Sequence, residues 1–171
     1  MQFLFLTYIL LVLLGCFYSF FDNNDKLSYL LSFIMLMTFS VIARFNVVQV
    51  DMITYTLTMQ QDISLYMNLY YLREPVYWLL SKVLYDFIGD TRVVFVLIDA
   101  IFFLIILIAF YKNKIQTYFI FLFFCFFVSI LGFQNVYRQY LTTILLVVTL
   151  FLVNLGFFKK SFLILFATLI H

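Results

Sequence analysis

Residues 93–110 read VVFVLIDAIFFLIILIAF, and this run decides the class of fold. All but one of its side chains are apolar, and about 20 apolar residues in a helix are enough to cross the hydrocarbon layer of a bilayer. The exception is Asp99, an acid that is costly inside a membrane unless it faces protein, water or a ligand. The run therefore predicts a membrane-spanning helix in which Asp99 makes a structural hydrogen bond to another helix or serves a functional site.

The rest of the chain has the same apolar character. Of its 171 residues, 67% are hydrophobic and 11% are charged, against about 25% charged in an ordinary globular protein. We expect an all-α, polytopic transmembrane helical bundle, a single domain over residues 1–171, with about five full spans and a partial sixth. The expected spans cover residues 3–21, 27–43, 93–110, 115–132, 140–158 and, for the partial span, 161–171. Because the last run is only about half the length needed to cross, we expect the chain to be the front part of a longer protein.

A mixed stretch, residues 44–92, separates the second and third spans. Together with Asp99 it holds six of the eight acidic residues and three of the four arginines. Within it, Glu74 and Pro75 form a helix-start signal, because proline has no N–H to lose in the first turn and an acid favours the positive end of the helix dipole. We predict an interfacial helix over residues 74–88, ended by Gly89 and Asp90.

The two kinds of basic residue separate by side. Lysines flank the hairpin formed by the fourth and fifth spans, and the positive-inside rule makes that side cytoplasmic. The same topology puts five of the six lysines inside, and all four arginines and the 44–92 stretch outside. Arginine suits paired hydrogen bonds to phosphate or carboxylate. The arginines therefore indicate an anionic ligand at the outer boundary or, alternatively, partners for nearby acids such as Glu74 and Asp51.

Charge and cysteine content exclude other classes of function. A net charge of +2 without a basic tract gives no indication of nucleic-acid binding. Cys16 and Cys125 are isolated within apolar runs and form no metal-binding motif, so we expect no metal or cofactor.

Several short motifs resemble those of the EpsG/Wzy-type membrane proteins, which polymerise bacterial exopolysaccharide, capsule or O-antigen repeat units. The resemblance covers nearly the whole chain, and members are about twice as long, so it implies the N-terminal half of such a protein. The matching motifs are IARF at residues 42–45, Asp51 with Tyr55 four residues on, YLREPVY at 71–77, GD at 89–90, YRQYL at 137–141 and ATLIH at 167–171.

The resemblance implies a glycosyltransferase of the bacterial inner membrane that acts at its outer face. Its substrate would be an oligosaccharide on undecaprenyl diphosphate, transferred to a lipid-linked acceptor, with membrane lipids and other polysaccharide-assembly proteins as further partners. A diphosphate leaving group needs cations, an acceptor hydroxyl needs a base, and aromatic rings pack on sugar faces. The expected base is Asp51 or Glu74, and the expected substrate-binding residues are Arg44, Tyr55, Arg73, Tyr77, Trp78 and Arg138.

Two alternatives stay open. A transporter or flippase of lipid-linked glycans would place charges along a central path through several helices, whereas here they cluster at one face. An inactive, truncated fragment of a polymerase is the second alternative, because half a bundle leaves helix faces without partners.

Overall fold

The computed structural model describes residues 6, 9–15, 17, 26–46, 50–61, 74–125, 136–151 and 156–170, with side chains throughout except at positions 50, 51 and 125. Within these ranges all regular structure is helical, which confirms the all-α fold class. Beyond a short helical stretch at residues 9–15, the helices are α1 (Lys26–Asn46), α2 (Val50–Gln60), α3 (Pro75–Ile88), α4 (Thr91–Lys112), α5 (Tyr118–Cys125), α6 (Tyr137–Phe151) and α7 (Phe157–Ile170).

Helix α4 is the centre of the described bundle. It packs against α1, α3 and α6, while α7 lies on α6 and α3, and α2 lies on α3. Its buried face includes Ile98, Phe103 and Ile106, in one apolar core with Leu36 of α1 and Ile144 of α6. The helix that contains the apolar run at 93–110 is therefore the one against which most of the other described helices pack.

The outer surface is also strongly apolar. Phe87, Leu150, Phe157 and Phe158 are each at least three-quarters exposed, which would be costly in water but is the ordinary surface of a helix in lipid. Among the helices that the structure describes, α1 and α4 have the length and apolar composition to cross a membrane. They coincide with the spans expected at residues 27–43 and 93–110, and the total of five spans stays a prediction.

Local signals set the bounds of α3 and the start of α4. Pro75 occupies the first turn of α3, as expected. The helix ends at Gly89, whose φ of 77° is left-handed and whose N–H donates to the Tyr85 carbonyl at 2.7 Å. Asp90 then caps α4, because its side chain accepts a hydrogen bond of 2.8 Å from the Arg92 backbone N–H. The helix predicted over residues 74–88 thus begins and ends within one residue of those bounds, and its interfacial position stays a prediction.

Three of the expected spans differ from the helices or extend beyond the described residues. The run expected at 140–158 is not one helix: α6 begins earlier, at Tyr137, and Gly156 lies outside any helix before α7 starts at Phe157. Glycine weakens a helix, but it is not polar and so does not end an apolar run. Hydropathy alone therefore misses the break at Gly156. Helix α5 covers the first part of the run at 115–132, and only 9–15 is described as a continuous helical stretch of the run at 3–21.

Candidate functional site

A buried ionic centre lies around Asp99, whose side chain is fully enclosed within α4. Its Oδ2 accepts hydrogen bonds from Ser40 Oγ at 2.6 Å and Arg44 Nε at 2.9 Å. Its Oδ1 accepts from Arg44 Nη2 at 3.1 Å and from the Tyr137 hydroxyl at 2.7 Å. Each carboxylate oxygen therefore has two donors, and one acid ties together α1, α4 and α6.

The Arg44 guanidinium is enclosed on its remaining sides. It stacks over the Tyr137 ring, 4.5 Å from the centroid, and lies 5.5 Å from the Phe95 centroid. Its Nη1 contacts Met52 Sδ of α2 at 3.7 Å. The two-pronged pairing with Asp99 is the fork geometry that distinguishes arginine from lysine. Arg44 is therefore held in one orientation by groups from three other helices.

A second ionic centre lies at the start of α3 and α6. Glu74 Oε2 pairs with Arg138 Nη1 and accepts a hydrogen bond of 3.1 Å from Trp78 Nε1. The Arg138 guanidinium lies 5.4 Å from the Tyr55 ring centroid and 5.6 Å from that of Trp78. The Arg138 side chain keeps 25% of its surface exposed and that of Glu74 12%, against 4% and none for Arg44 and Asp99. This pair is the accessible one of the two.

Aromatic rings connect the two centres. Tyr77 packs edge to face against Tyr55, Trp78 and Tyr137, with centroids 5.9, 5.1 and 6.1 Å apart. Its buried hydroxyl has no hydrogen-bond partner among the described residues. Burial, and then the neighbouring Tyr55, raise the pKa of Tyr77 well above its usual range, so the hydroxyl keeps its proton at neutral pH. Tyr77 therefore presents a donor between the two ionic centres.

An open cavity of about 560 Å³ adjoins this cluster on the side of α2 and the first turns of α4. Its volume falls within the range of small-molecule sites. Arg44 of the buried ionic centre lines the cavity and also stacks on Tyr137. The lining residues are Arg44, Met52, Ile53, Thr56, Leu57, Gln60, Gly89, Asp90, Thr91, Arg92 and Phe95.

Most of the site residues expected from the sequence lie in these two centres and the rings between them. Asp51 is placed on α2, but its side chain lies outside the described part of the chain, as does Arg73 altogether. The six that the structure brings together are Arg44, Tyr55, Glu74, Tyr77, Trp78 and Arg138.

The sequence did not identify the partners correctly in every case. It offered Glu74 and Asp51 as acids for the arginines, and Glu74 does pair with Arg138, but Arg44 pairs with Asp99. Ser40 and Tyr137 were missed as donors to that acid. A usable signal existed for Ser40, which precedes Arg44 by four residues and so shares its helix face. Tyr137 belongs to the YRQYL motif and precedes Arg138, but neither feature indicated a contact with Asp99.

The accessible centre combines three kinds of group that sugar-phosphate chemistry uses. Glu74 is a carboxylate that can accept a proton, Arg138 is a permanent cation for phosphate oxygens, and Trp78 with Tyr55 offers aromatic faces. Among the described residues no three His, Cys, Asp or Glu side chains gather in a way that could hold a metal ion. The groups present therefore suit proton transfer and anion binding.

Comparison with known proteins gives one clear relationship. A search of curated proteins and a search of solved structures each returned no match. The EpsG family model, in contrast, matches residues 28–171, which include both ionic centres and every helix from α2 to α7. The chain belongs to the EpsG family.

Proposed function

We propose that this protein is a polysaccharide polymerase that joins lipid-linked oligosaccharide repeat units. The donor is an oligosaccharide on undecaprenyl diphosphate and the acceptor is a second lipid-linked saccharide. Membership of the EpsG family supports polysaccharide polymerisation in general, and the apolar helices support a membrane-embedded substrate. The proposal places the reaction at the outer face of a bacterial inner membrane.

The observation that carries the proposal is the difference between the two arginines. Arg44 has Asp99 on both prongs of its fork and is almost completely enclosed, so we assign it to positioning. The Arg138 side chain is a quarter exposed, and its Nε, which is itself buried, has no hydrogen-bond partner among the described residues. A cation that binds a diphosphate must be reachable and must have donors to offer. We therefore assign the diphosphate to Arg138.

In the proposed transfer, the oxygen of an acceptor hydroxyl attacks the anomeric carbon of the donor sugar. The bond from that carbon to the diphosphate oxygen breaks, and the electron pair leaves with undecaprenyl diphosphate. The hydroxyl proton passes to a carboxylate, for which Glu74 is the first candidate and Asp51 the second. Arg138, and Arg73 as an expected second cation, stabilise the charge that develops on the leaving group.

The ion pair between Glu74 and Arg138 suggests how the site is kept ready. In the resting protein the cation occupies the carboxylate oxygen Oε2, which Trp78 also holds in place. When a diphosphate arrives, Arg138 turns towards it and Glu74 Oε2 becomes available to the acceptor hydroxyl. Substrate binding would thus free the Glu74 carboxylate to act as the base and bring Arg138 into contact with the diphosphate in one step.

Complementation tests this assignment. The full chain is expressed in a strain that lacks its own polymerase, and glycan length is read on a gel. We expect wild type to restore long chains, and Glu74→Gln, which preserves size but removes the charge, to leave mainly single repeats. Asp86→Asn is the matched control, because Asp86 is an exposed acid three turns along the same helix and pairs only locally with Lys82.

The assignment of Glu74 would be contradicted if Glu74→Gln made long chains at the wild-type level with equal amounts of protein in the membrane.

The outer-face placement has its own test at position 60, on α2. A Gln60→Cys variant should react with a thiol reagent that cannot cross the inner membrane, and protection of that cysteine in spheroplasts would place α2 on the other side.

A further inference from the structure

The cavity beside α2 has a lining that the proposed reaction does not yet use. One side comes from a single face of α2, where Met52, Thr56 and Gln60 follow one another at intervals of four residues. The opposite side comes from the loop after α3 and the first turn of α4. Two rigid helices and a capped turn therefore form its walls.

The lining mixes polar and apolar groups in the way that a sugar ring requires. Gln60 and Thr56 supply an amide and a hydroxyl, and Arg92 and Asp90 lie at the exposed edge. Phe95, which is almost fully buried, adds an aromatic ring to the lining. Sugars present hydroxyls around their edge and C–H groups on their faces, so planar polar groups and an aromatic ring match them together.

The charge of the lining distinguishes a neutral ligand from an anion. Arg44 is compensated by Asp99, with which it makes two charge-assisted contacts. Asp90, which also lines the cavity, offsets the positive charge of Arg92 in the sum of formal charges. A diphosphate would therefore meet no net positive charge here, whereas Arg138, outside the cavity, is freed from Glu74 when it turns to the diphosphate in the proposed reaction.

The cavity and the accessible ionic centre share helix α2 and the contact between Arg44 and Tyr137, although no residue of that centre is among the lining residues. Tyr55, which contacts Arg138, precedes Thr56 on α2. Arg44 lines the cavity and stacks on Tyr137, the residue before Arg138. A ligand held in the cavity would therefore lie on the same helix, α2, that contacts Arg138 through Tyr55.

We propose that the cavity formed by α2 and the start of α4 is a subsite for a neutral sugar of the glycan, separate from the diphosphate position at Arg138. The subsite deepens the proposed function and rests on it for the identity of the glycan. Gln60 and Thr56 act as hydrogen-bonding groups to sugar hydroxyls, and Ile53, Leu57 and Phe95 supply apolar lining. Binding at this position would hold the saccharide against α2, the helix whose Tyr55 contacts Arg138.

Thiol protection tests the subsite without requiring turnover. Two variants, Gln60→Cys and Gln61→Cys, are made with Cys16 and Cys125 replaced by serine. Both glutamines are exposed and adjacent, but only Gln60 lines the cavity. Purified protein is labelled with a neutral maleimide in the presence of diphosphate-free oligosaccharide repeat units released from the source strain, or of inorganic diphosphate.

We expect the repeat units to slow labelling at position 60 at least threefold and to leave position 61 unchanged, with no effect of inorganic diphosphate at either. Released polymer is tested in parallel, and protection by polymer but not by single units would assign the cavity to the growing chain. Unchanged labelling at position 60 with both saccharides, or equal protection by diphosphate, would overturn the proposal.

A Glu74→Gln version separates this result from the proposed function. Protection should persist in it, because sugar binding in the cavity does not need the base. If Glu74→Gln still polymerises while protection holds, the catalytic assignment fails and the sugar subsite stands. If Glu74→Gln abolishes long chains and no protection is seen, the subsite fails and the catalytic assignment stands.

Discussion

Arg44 of α1 and Asp99 of α4 form a two-pronged ion pair, with Nε to Oδ2 at 2.9 Å and Nη2 to Oδ1 at 3.1 Å. Ser40 and Tyr137 complete the shell of the carboxylate. The pair lies where α1 and α6 meet the central helix, and Tyr137, one of the donors to Asp99, precedes Arg138 of the accessible pair. Its position indicates a scaffold role: it fixes Tyr137, and so the first turn of α6 from which Arg138 projects.

Removal of one partner of this pair should be strongly destabilising. For Arg44→Ala we expect a loss of about 3–5 kcal/mol in the free energy of unfolding, because an uncompensated carboxylate stays buried at Asp99. The measurement is unfolding in mild detergent, followed through Trp78, the single tryptophan of the chain. The double variant Arg44→Met with Asp99→Leu should lose less than Arg44→Ala, and an equal or larger loss would contradict the pairing.

Two buried tyrosines should respond differently to loss of the hydroxyl. Tyr137→Phe removes one donor to Asp99 and should cost about 1.5–3 kcal/mol, the usual range for a hydrogen bond to a charged group. Tyr77→Phe removes a buried hydroxyl that has no partner among the described residues, so its stability should stay within about 0.5 kcal/mol of wild type or rise. Equal losses in both variants would show that the Tyr137 hydroxyl does not support the buried acid.

Gly89 should tolerate alanine less well than Gly156 does. A Cβ would meet nothing within 4 Å at either position, but Gly89 has a φ of +77°. Gly89→Ala should therefore lose about 1 kcal/mol through backbone strain alone. Gly156→Ala should be close to neutral in the same unfolding measurement. A Gly89→Ala protein as stable as Gly156→Ala would mean that the turn between α3 and α4 is not left-handed.

Lysine should not replace arginine at position 138. Arg138 pairs with Glu74 and lies over the rings of Tyr55 and Trp78, and lysine keeps the charge but loses the planar fork. We expect Arg138→Lys to shorten glycan chains to mainly single repeats with normal protein levels. Lys159→Arg, at an exposed position of α7 outside both ionic centres and the cavity lining, is the control and should retain long chains. Full activity of Arg138→Lys would show that position 138 needs only a positive charge and not the planar guanidinium.

Much of the fold follows from local signals in the sequence. The apolar runs at 27–43 and 93–110 became α1 and α4, with ends displaced by only a few residues, because hydrophobic length is a strong constraint on helices in a membrane. Pro75, Gly89 and Asp90 set the limits of α3 by their own backbone chemistry. The break at Gly156 was not predicted, since the apolar run continues on both sides of it.

The sequence was enough to predict which residues belong to the site, but not which acid pairs with which arginine. A cluster of arginines, acids and aromatics in an apolar chain pointed to Arg44, Glu74 and Arg138 as neighbours of a site. Which acid meets which arginine depends on how α1, α4 and α6 are packed, and Arg44 and Asp99 are 55 residues apart in the chain. Sequence spacing favours contacts three or four residues apart, so the pair across α1 and α4 could only be seen in three dimensions.

Polymer formation by the purified protein tests the central claim most directly. The full chain is incubated in liposomes with undecaprenyl-diphosphate-linked repeat units and no nucleotide sugar, and both glycan length and released undecaprenyl diphosphate are measured. The account predicts a ladder of repeats with one undecaprenyl diphosphate released per bond formed, and neither product from Glu74→Gln. A wild-type protein that yields no ladder, or a ladder that Glu74→Gln leaves unchanged, would contradict it.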